Sequence, residues 1–283
     1  RTERRTIAGR GEGSMFSRLR WPTRLAGAAA CLVLVVASPG GAVIRGTDDT
    51  TNRFPNVGVL QLESEGEWFS FCTGTLVAPD VVLTAAHCTD FFEPDSPADL
   101  RVSFDPTPDA SSTYYSVDHL VVHPDWFTAG PCLGNSKRLC LAPPAEDIAL
   151  VWLTEEVAGV TPAPVADRGY LDALDLKDES FIVVGYGVDA FITGSLFSPR
   201  AIIRFDDDRT YKEVSVITER DAFPDRFVKI TKSVCFGDSG GPLFHEGTVV
   251  GINTWTFSLR CDGPNFSYRV DSAVAQAFLD RYL

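Results

Sequence analysis

The chain is poor in positive charge. Its 283 residues hold 25 Lys and Arg against 38 Asp and Glu, a net charge of −13. Residues 1–42 contain seven arginines and two glutamates, so residues 43–283 carry 18 basic against 36 acidic side chains, a balance of −18. So acidic a body repels phosphate backbones and anionic lipid, which excludes nucleic acid and membrane surfaces as expected partners. No apolar run reaches the ~20 residues of a membrane helix. There is no Cys-x-x-Cys pair, which argues against a zinc site, and the acidic stretch Phe91–Asp105 shows no firm calcium-ligand pattern. Neither a metal nor a cofactor is expected. Repeats and low-complexity tracts are absent. Strand-type and helix-type segments do not alternate, which argues against a doubly wound α/β fold.

The N-terminus reads as a targeting segment. Met15 is the only methionine. After it come Arg18, Arg20 and Arg24, then an apolar run from Leu25 to Ala37, then small residues. That is the order of a signal peptide, so residues 1–42 are expected to be an extension plus signal peptide and the product to be secreted, extracellular or periplasmic. Cys31 precedes the strongest apolar stretch, Leu32 to Val36, which ranks it low as a lipidation site. Beyond residue 42 six cysteines remain (Cys72, Cys88, Cys132, Cys140, Cys235 and Cys261), an even count that reads as disulfides in an exported chain.

From residue 43 onward, short β-type runs are separated by Pro, Gly, Asp and Ser. They include Val57–Leu62, Phe71–Val77, Val81–Thr84, Leu120–Val122, Ile148–Leu153, Phe181–Val184, Ala201–Phe205, Glu213–Ile217, Thr248–Ile252 and Tyr268–Val270. Helical periodicity occurs only at the end, where Ala273, Val274, Ala277, Phe278 and Tyr282 form an apolar stripe after a cap at Asp271 or Ser272. The fold class is therefore all-β with a C-terminal α-helix.

Three segments carry chemistry: Leu83-Thr84-Ala85-Ala86-His87-Cys88, Glu146-Asp147-Ile148-Ala149-Leu150, and Cys235-Phe236-Gly237-Asp238-Ser239-Gly240-Gly241-Pro242-Leu243. A serine hydroxyl needs a base to become a nucleophile. Neutral imidazole suits that task near neutral pH, and a buried carboxylate can fix its tautomer. Gly237-Asp238-Ser239-Gly240-Gly241 also fits the Gly-x-Ser-x-Gly elbow of lipases and esterases. Those enzymes place the acid and histidine after the serine, and here only His245 follows it.

In this order the three segments resemble the trypsin/chymotrypsin-like secreted serine peptidases, over roughly residues 43–283. The resemblance implies two antiparallel six-stranded β-barrels with the active site between them. Barrel one would span about 43–158, barrel two about 159–270 and the helix 271–283. It implies Ser239 as nucleophile, His87 as base and acid, Asp147 as the residue orienting it, and the N–H groups of Gly237 and Ser239 as the oxyanion hole. Peptide hydrolysis then runs through an acyl-enzyme without a cofactor, on a protein or peptide substrate, in a monomer. A binding protein on a protease scaffold is the other class; such proteins usually lose a triad member, and this chain has all three.

Further matches are Phe54-Pro55, Cys72-Thr73-Gly74-Thr75-Leu76, Val122-His123-Pro124 (which makes His123 structural), Gly185-Tyr186-Gly187 and Gly251-Ile252-Asn253-Thr254-Trp255. The resemblance pairs Cys72 with Cys88 and Cys235 with Cys261; proximity alone pairs Cys132 with Cys140. Thr254 stands where relatives carry a serine supporting the triad acid. Ser233, Val234, Thr254, Trp255, Thr256 and Asn265 are expected to line the specificity pocket. Ser233 gives that pocket a neutral floor, hence an apolar or small P1 residue.

Relatives become competent when cleavage frees an apolar N-terminus that pairs with the aspartate before the serine, here Asp238. Val43-Ile44-Arg45-Gly46 occupies the matching place, with Arg45 where relatives have glycine. Gly40 and Ala42 suit a signal-peptidase cut before Val43, and Val35 and Ala37 a cut before Ser38. Val43 is thus the expected mature N-terminus, without a long zymogen segment.

Overall fold

The apolar runs become strands whose registers bring distant segments to one end of a barrel. In the computed structural model, the described residues are 43–95, 97–126, 146–195, 198–205, 208–218, 225–256, 261 and 263–283. After a two-residue β1 (Thr47–Asp48) come β2 (Val57–Ser64), β3 (Glu67–Ala78), β4 (Val81–Thr84), β5 (Leu100–Ser103), β6 (Tyr115–Val122) and β7 (Ala149–Leu153). Strands β2 to β7 close a six-stranded antiparallel barrel in the order β2-β3-β4-β7-β6-β5. Leu60 faces Cys72 across one ladder and Val102 across another, which closes the ring. Val57, Val59, Leu76, Val82, Leu100, Val102, Leu150 and Val151 are buried in the core of the protein. Thr84 at the end of β4 pairs with Ala149 at the start of β7. His87 lies three residues after one and Asp147 two residues before the other, so the pairing delivers both to the same rim.

The rest of the chain adds β8 (Phe181–Gly185), β9 (Val188–Ser195), β10 (Ser198–Phe205), β11 (Thr210–Val214), β12 (Phe227–Ile230), β13 (Pro242–His245), β14 (Thr248–Thr256), β15 (Asn265–Arg269) and α1 (Ala273–Tyr282). The expected second six-stranded barrel is not closed here. A seven-stranded sheet runs β1-β11-β8-β13-β14-β15-β12, and among the described residues β9 and β10 pair with each other alone. The reason is local: β11 ends at Val214, and among the described residues beyond it one isolated bridge, Val216 to Ile230, reaches β12.

Ser272 caps α1, its hydroxyl accepting the Ala275 N–H at 3.2 Å. The predicted apolar stripe is out of phase. Ala275, Phe278 and Leu279 are buried, whereas Val274 is 43% exposed and Ala273 and Ala277 face solvent. Positions 275, 278, 279 and 282 keep the i, i+3, i+4, i+7 spacing, and the chain entering from Asp271 sets which face docks.

A buried arginine, ion-paired within the second sheet, reaches across to the barrel. The Arg209 Nε donates to Asp49 Oδ2 at 2.9 Å with both side chains fully buried. Arg209 Nη1 donates to the carbonyls of Val57 and Phe104 and to the Tyr186 hydroxyl. The Tyr186 O–H in turn reaches the Asp105 carbonyl at 2.8 Å.

Candidate active site

At the barrel rim the short 3₁₀ turn Ala86–Cys88 presents His87. Asp147 is fully buried and both its oxygens are engaged by His87. Oδ2 lies 2.8 Å from Nδ1, and Oδ1 accepts the His87 backbone N–H at 3.0 Å. A carboxylate there selects the Nδ1–H tautomer and leaves Nε2 as the basic nitrogen. Burial alone would lower the His87 pKa; the charge and hydrogen bond of Asp147, with the charge of Asp90, override it, and the net shift is upward. The His87 side chain remains 30% exposed, so the ring is reachable.

Ser239 follows a turn that only glycine can make. Asp238 N–H closes it onto the Cys235 carbonyl at 3.2 Å, and Gly237 has φ +91°. A Cβ on Gly237 would fall 2.8 Å from Gly187 Cα. Among the described residues, the N–H groups of Gly237 and Ser239 donate no hydrogen bond, while their carbonyls are held by the Thr73 hydroxyl and N–H. No Ser239–His87 hydrogen bond forms among the described residues, a separation common before substrate binds. Both residues nevertheless line one pocket of about 270 Å³.

That pocket is also lined by Val234, Cys235, Phe236, Asn253, Thr254, Trp255, Thr256 and Asn265. Five of the six residues expected to line a specificity pocket thus line this one. Ser233 is not: it is fully buried behind Asn265, whose Oδ1 accepts the Ser233 and Val234 N–H groups and whose Nδ2 donates to the Val234 carbonyl. Phe236 (43% exposed) and Asn253 belong to the lining as well, which the sequence reading missed. The Thr254 hydroxyl donates to the Phe266 carbonyl at 3.0 Å, so its one proton is unavailable to Asp147.

Asp238 is fully buried, its Oδ1 accepting the Gly187 N–H at 2.9 Å and its Oδ2 the Cys235 N–H at 2.8 Å. Val43 is also fully buried. Its nitrogen, a peptide nitrogen in this chain, donates to Thr210 Oγ1 at 2.5 Å, and the Ile44 N–H reaches the Ser233 carbonyl at 2.7 Å. Arg45 holds φ +54°, which explains why glycine suits this position.

A family model described as Trypsin matches residues 43–279. The chain belongs to the trypsin family. It is a serine endopeptidase, with protein or peptide as its substrate class. Chymotrypsin-like elastase family member 1 of Macaca fascicularis is 34% identical over 239 residues, covering 78% of this chain and 81% of the relative. Trypsin, alkaline C of Manduca sexta is 26% identical over 246 residues, covering 80% and 86%. Among solved structures, the VesB protease of Vibrio cholerae superposes with a TM-score of 0.62 at 16% identity, covering 85% of this chain and 67% of that one. Human heparin binding protein superposes with a TM-score of 0.56 at 22% identity, covering 84% and 95%. At those identities the two structures speak for the fold alone.

Two of the expected disulfides of this trypsin-family chain are formed, Cys72–Cys88 beside His87 and Cys235–Cys261 beside the pocket. Cys132 and Cys140 lie outside the described residues. Among the described residues the one His/Cys/Asp/Glu cluster within metal-ligand range is Cys72, His87 and Cys88, and its two sulfurs are bonded to each other. His123 is structural: its Nδ1 accepts the Asp125 N–H, its ring packs on Phe278, and burial lowers its pKa against the charges of Glu146 and Asp125. His245 sits in β13 between Tyr170 and Glu179. Ser239 is followed by that strand rather than by a helix, so the lipase elbow does not apply. Among the described residues no helix is long and apolar enough to cross a membrane.

Proposed function

We propose that the chain is a secreted endopeptidase that cleaves peptide bonds through an acyl-enzyme on Ser239, with an apolar or small P1 residue. The observation that carries this reading is the fully buried Asp147 with both oxygens on His87, which lines the same pocket as Ser239. In the first step Ser239 Oγ bonds to the scissile carbonyl carbon while His87 Nε2 takes its proton. Asp147 stabilises the imidazolium, and the unspent N–H groups of Gly237 and Ser239 receive the oxyanion. His87 then protonates the departing amine, the C–N bond breaks, and water repeats the sequence to release the acid. One oxyanion donor contributes about 3–4 kcal/mol to the transition state.

The pocket supports the P1 assignment. Among the described residues that line it, none carries a formal charge apart from His87 at the rim, so a buried Arg or Lys side chain would lack a partner among them. The Asn265 amide, clamped by four hydrogen bonds to Ser233 and Val234, forms part of the wall. A panel of peptides varied only at P1 tests this; cleavage confined to Arg and Lys would refute it. The activated form is read as beginning at Val43, whose burial and whose neighbour's bond to Ser233 support an N-terminus seated next to the pocket, with Asp238 as the partner of its ammonium. N-terminal sequencing of the active protein checks it. A purely binding role like that named for heparin binding protein is disfavoured by charge, since heparin is a polyanion and residues 43–283 carry −18.

A further inference from the structure

The residue before Asp147 is unusual in three respects. Glu146 is only 4% exposed, it holds φ +51°, and its carboxylate is directed away from the pocket into the second sheet. There Oε2 accepts the hydroxyl of Tyr268, a fully buried residue of β15, and Oε1 lies 3.5 Å from Nε of the half-exposed Arg226. A β-carbon residue rarely adopts this backbone unless its surroundings impose it. Tyr268 and Arg226 are the side-chain partners that hold Glu146 in this position.

Among the described residues, Asp147 has no side-chain partner other than His87. The Thr254 hydroxyl, which could have braced it, is committed to the Phe266 carbonyl. The carboxylate that orients His87 is therefore located chiefly by its own backbone. That backbone leaves Glu146 in a tight turn, the Ile148 N–H donating to the Glu146 carbonyl at 2.9 Å, and enters β7 at Ala149.

We propose that Glu146, anchored on Tyr268, is a positioning residue that sets the place of Asp147 and so of the His87 ring. The hydrogen bond spans from the rim of the barrel, where His87 stands, to β15, which contributes Asn265 to the pocket wall. It thus ties the histidine side of the site to the serine side. Burial, then the adjoining Glu146 carboxylate, pushes the Tyr268 phenol far above the ordinary tyrosine range, so it remains a donor at any working pH. The role rests on the triad reading given above.

The test compares Glu146→Ala, Glu146→Gln, Tyr268→Phe and Ser239→Ala with the parent protein. The measurements are kcat and KM on a peptide amide and the NMR resonance of the His87 Nδ1 proton. Glu146→Ala and Tyr268→Phe should lower kcat on the order of tenfold with KM little changed, because a small displacement of a catalytic group is costly. The Nδ1 proton resonance should shift or broaden in both. Glu146→Gln keeps an acceptor for Tyr268 and should recover most of the kcat. Parent-like kcat and resonance in Tyr268→Phe, or a Gln variant as impaired as the Ala variant, would overturn the proposal. If Glu146→Ala does not fold, Tyr268→Phe, which loses a single oxygen, decides. Activity retained by Ser239→Ala would instead refute the triad, and the Nδ1 resonance would still report on the anchor.

Discussion

Removing the Asp49 carboxylate should be one of the most damaging single changes outside the active site. Asp49 accepts three hydrogen bonds: Arg209 Nε at 2.9 Å, the Arg53 N–H at 2.6 Å and the Phe54 N–H at 3.0 Å. In Asp49→Ala the fully buried Arg209 guanidinium keeps its carbonyl partners but loses its counter-charge, and two backbone donors lose their acceptor. Breaking a buried pair from one side costs about 3–5 kcal/mol, against a total stability of about 5–15 kcal/mol for a typical domain. Urea unfolding with the disulfides intact is the assay. With an m-value of roughly 2–3 kcal/mol/M, the midpoint should fall by about 1–2.5 M at unchanged m. The double variant Asp49→Ala/Arg209→Met removes the orphaned charge and should recover part of that loss. A shift below about 1 kcal/mol, or a double variant no more stable than the single one, would refute the reasoning.

Two further predictions concern the site. Because Asp147 and Asp90 raise the His87 pKa against the effect of burial, and the base must be neutral, kcat/KM should rise with pH through a midpoint above the ordinary imidazole value; Asp90→Asn should lower that midpoint. The linked stability has the opposite sign: protonated His87 stabilises the fold below the unfolded imidazole pKa, a contribution lost as pH rises through the folded one, which thermal melts across that window can follow. Gly187→Ala would place a Cβ 2.5–2.6 Å from the Asp238 carboxyl atoms, forcing the turn that carries Gly237 and Ser239 to move. Activity should fall on the order of a hundredfold while the protein stays folded; a fully active Gly187→Ala would show that the turn tolerates the shift.

How legible was this in the sequence? His87 and Asp147 stood out as candidates through their motifs and the family resemblance, each beside an apolar strand; the Thr84–Ala149 pairing that brings them to one rim did not, because β4 and β7 are buried almost throughout and show no alternation. The Cys72–Cys88 and Cys235–Cys261 bridges came from the family pattern, not from spacing. What stayed hidden shares one cause. Arg209 follows three aspartates and reads as a solvated charge, yet its partner lies 160 residues away. Glu146 looks like a surface acid until Tyr268 is placed over it, and Ser233 like a pocket floor until Asn265 covers it. Burial of polar groups is decided by long-range partners, about which local periodicity is silent. The helix phase and the unclosed second sheet were missed for a related reason: docking and strand ends, not composition, determine them.

The central claim is that Ser239 is a nucleophile activated by His87 and Asp147. Treatment of the processed protein with a fluorophosphonate, followed by mass analysis of the peptide containing Ser239, tests it most directly. A single adduct on Ser239 is expected, with loss of peptide hydrolysis in proportion to labelling, no adduct in Ser239→Ala, and much slower labelling of Asp147→Asn. Undiminished hydrolysis by Ser239→Ala, or an adduct on a different residue, would contradict it.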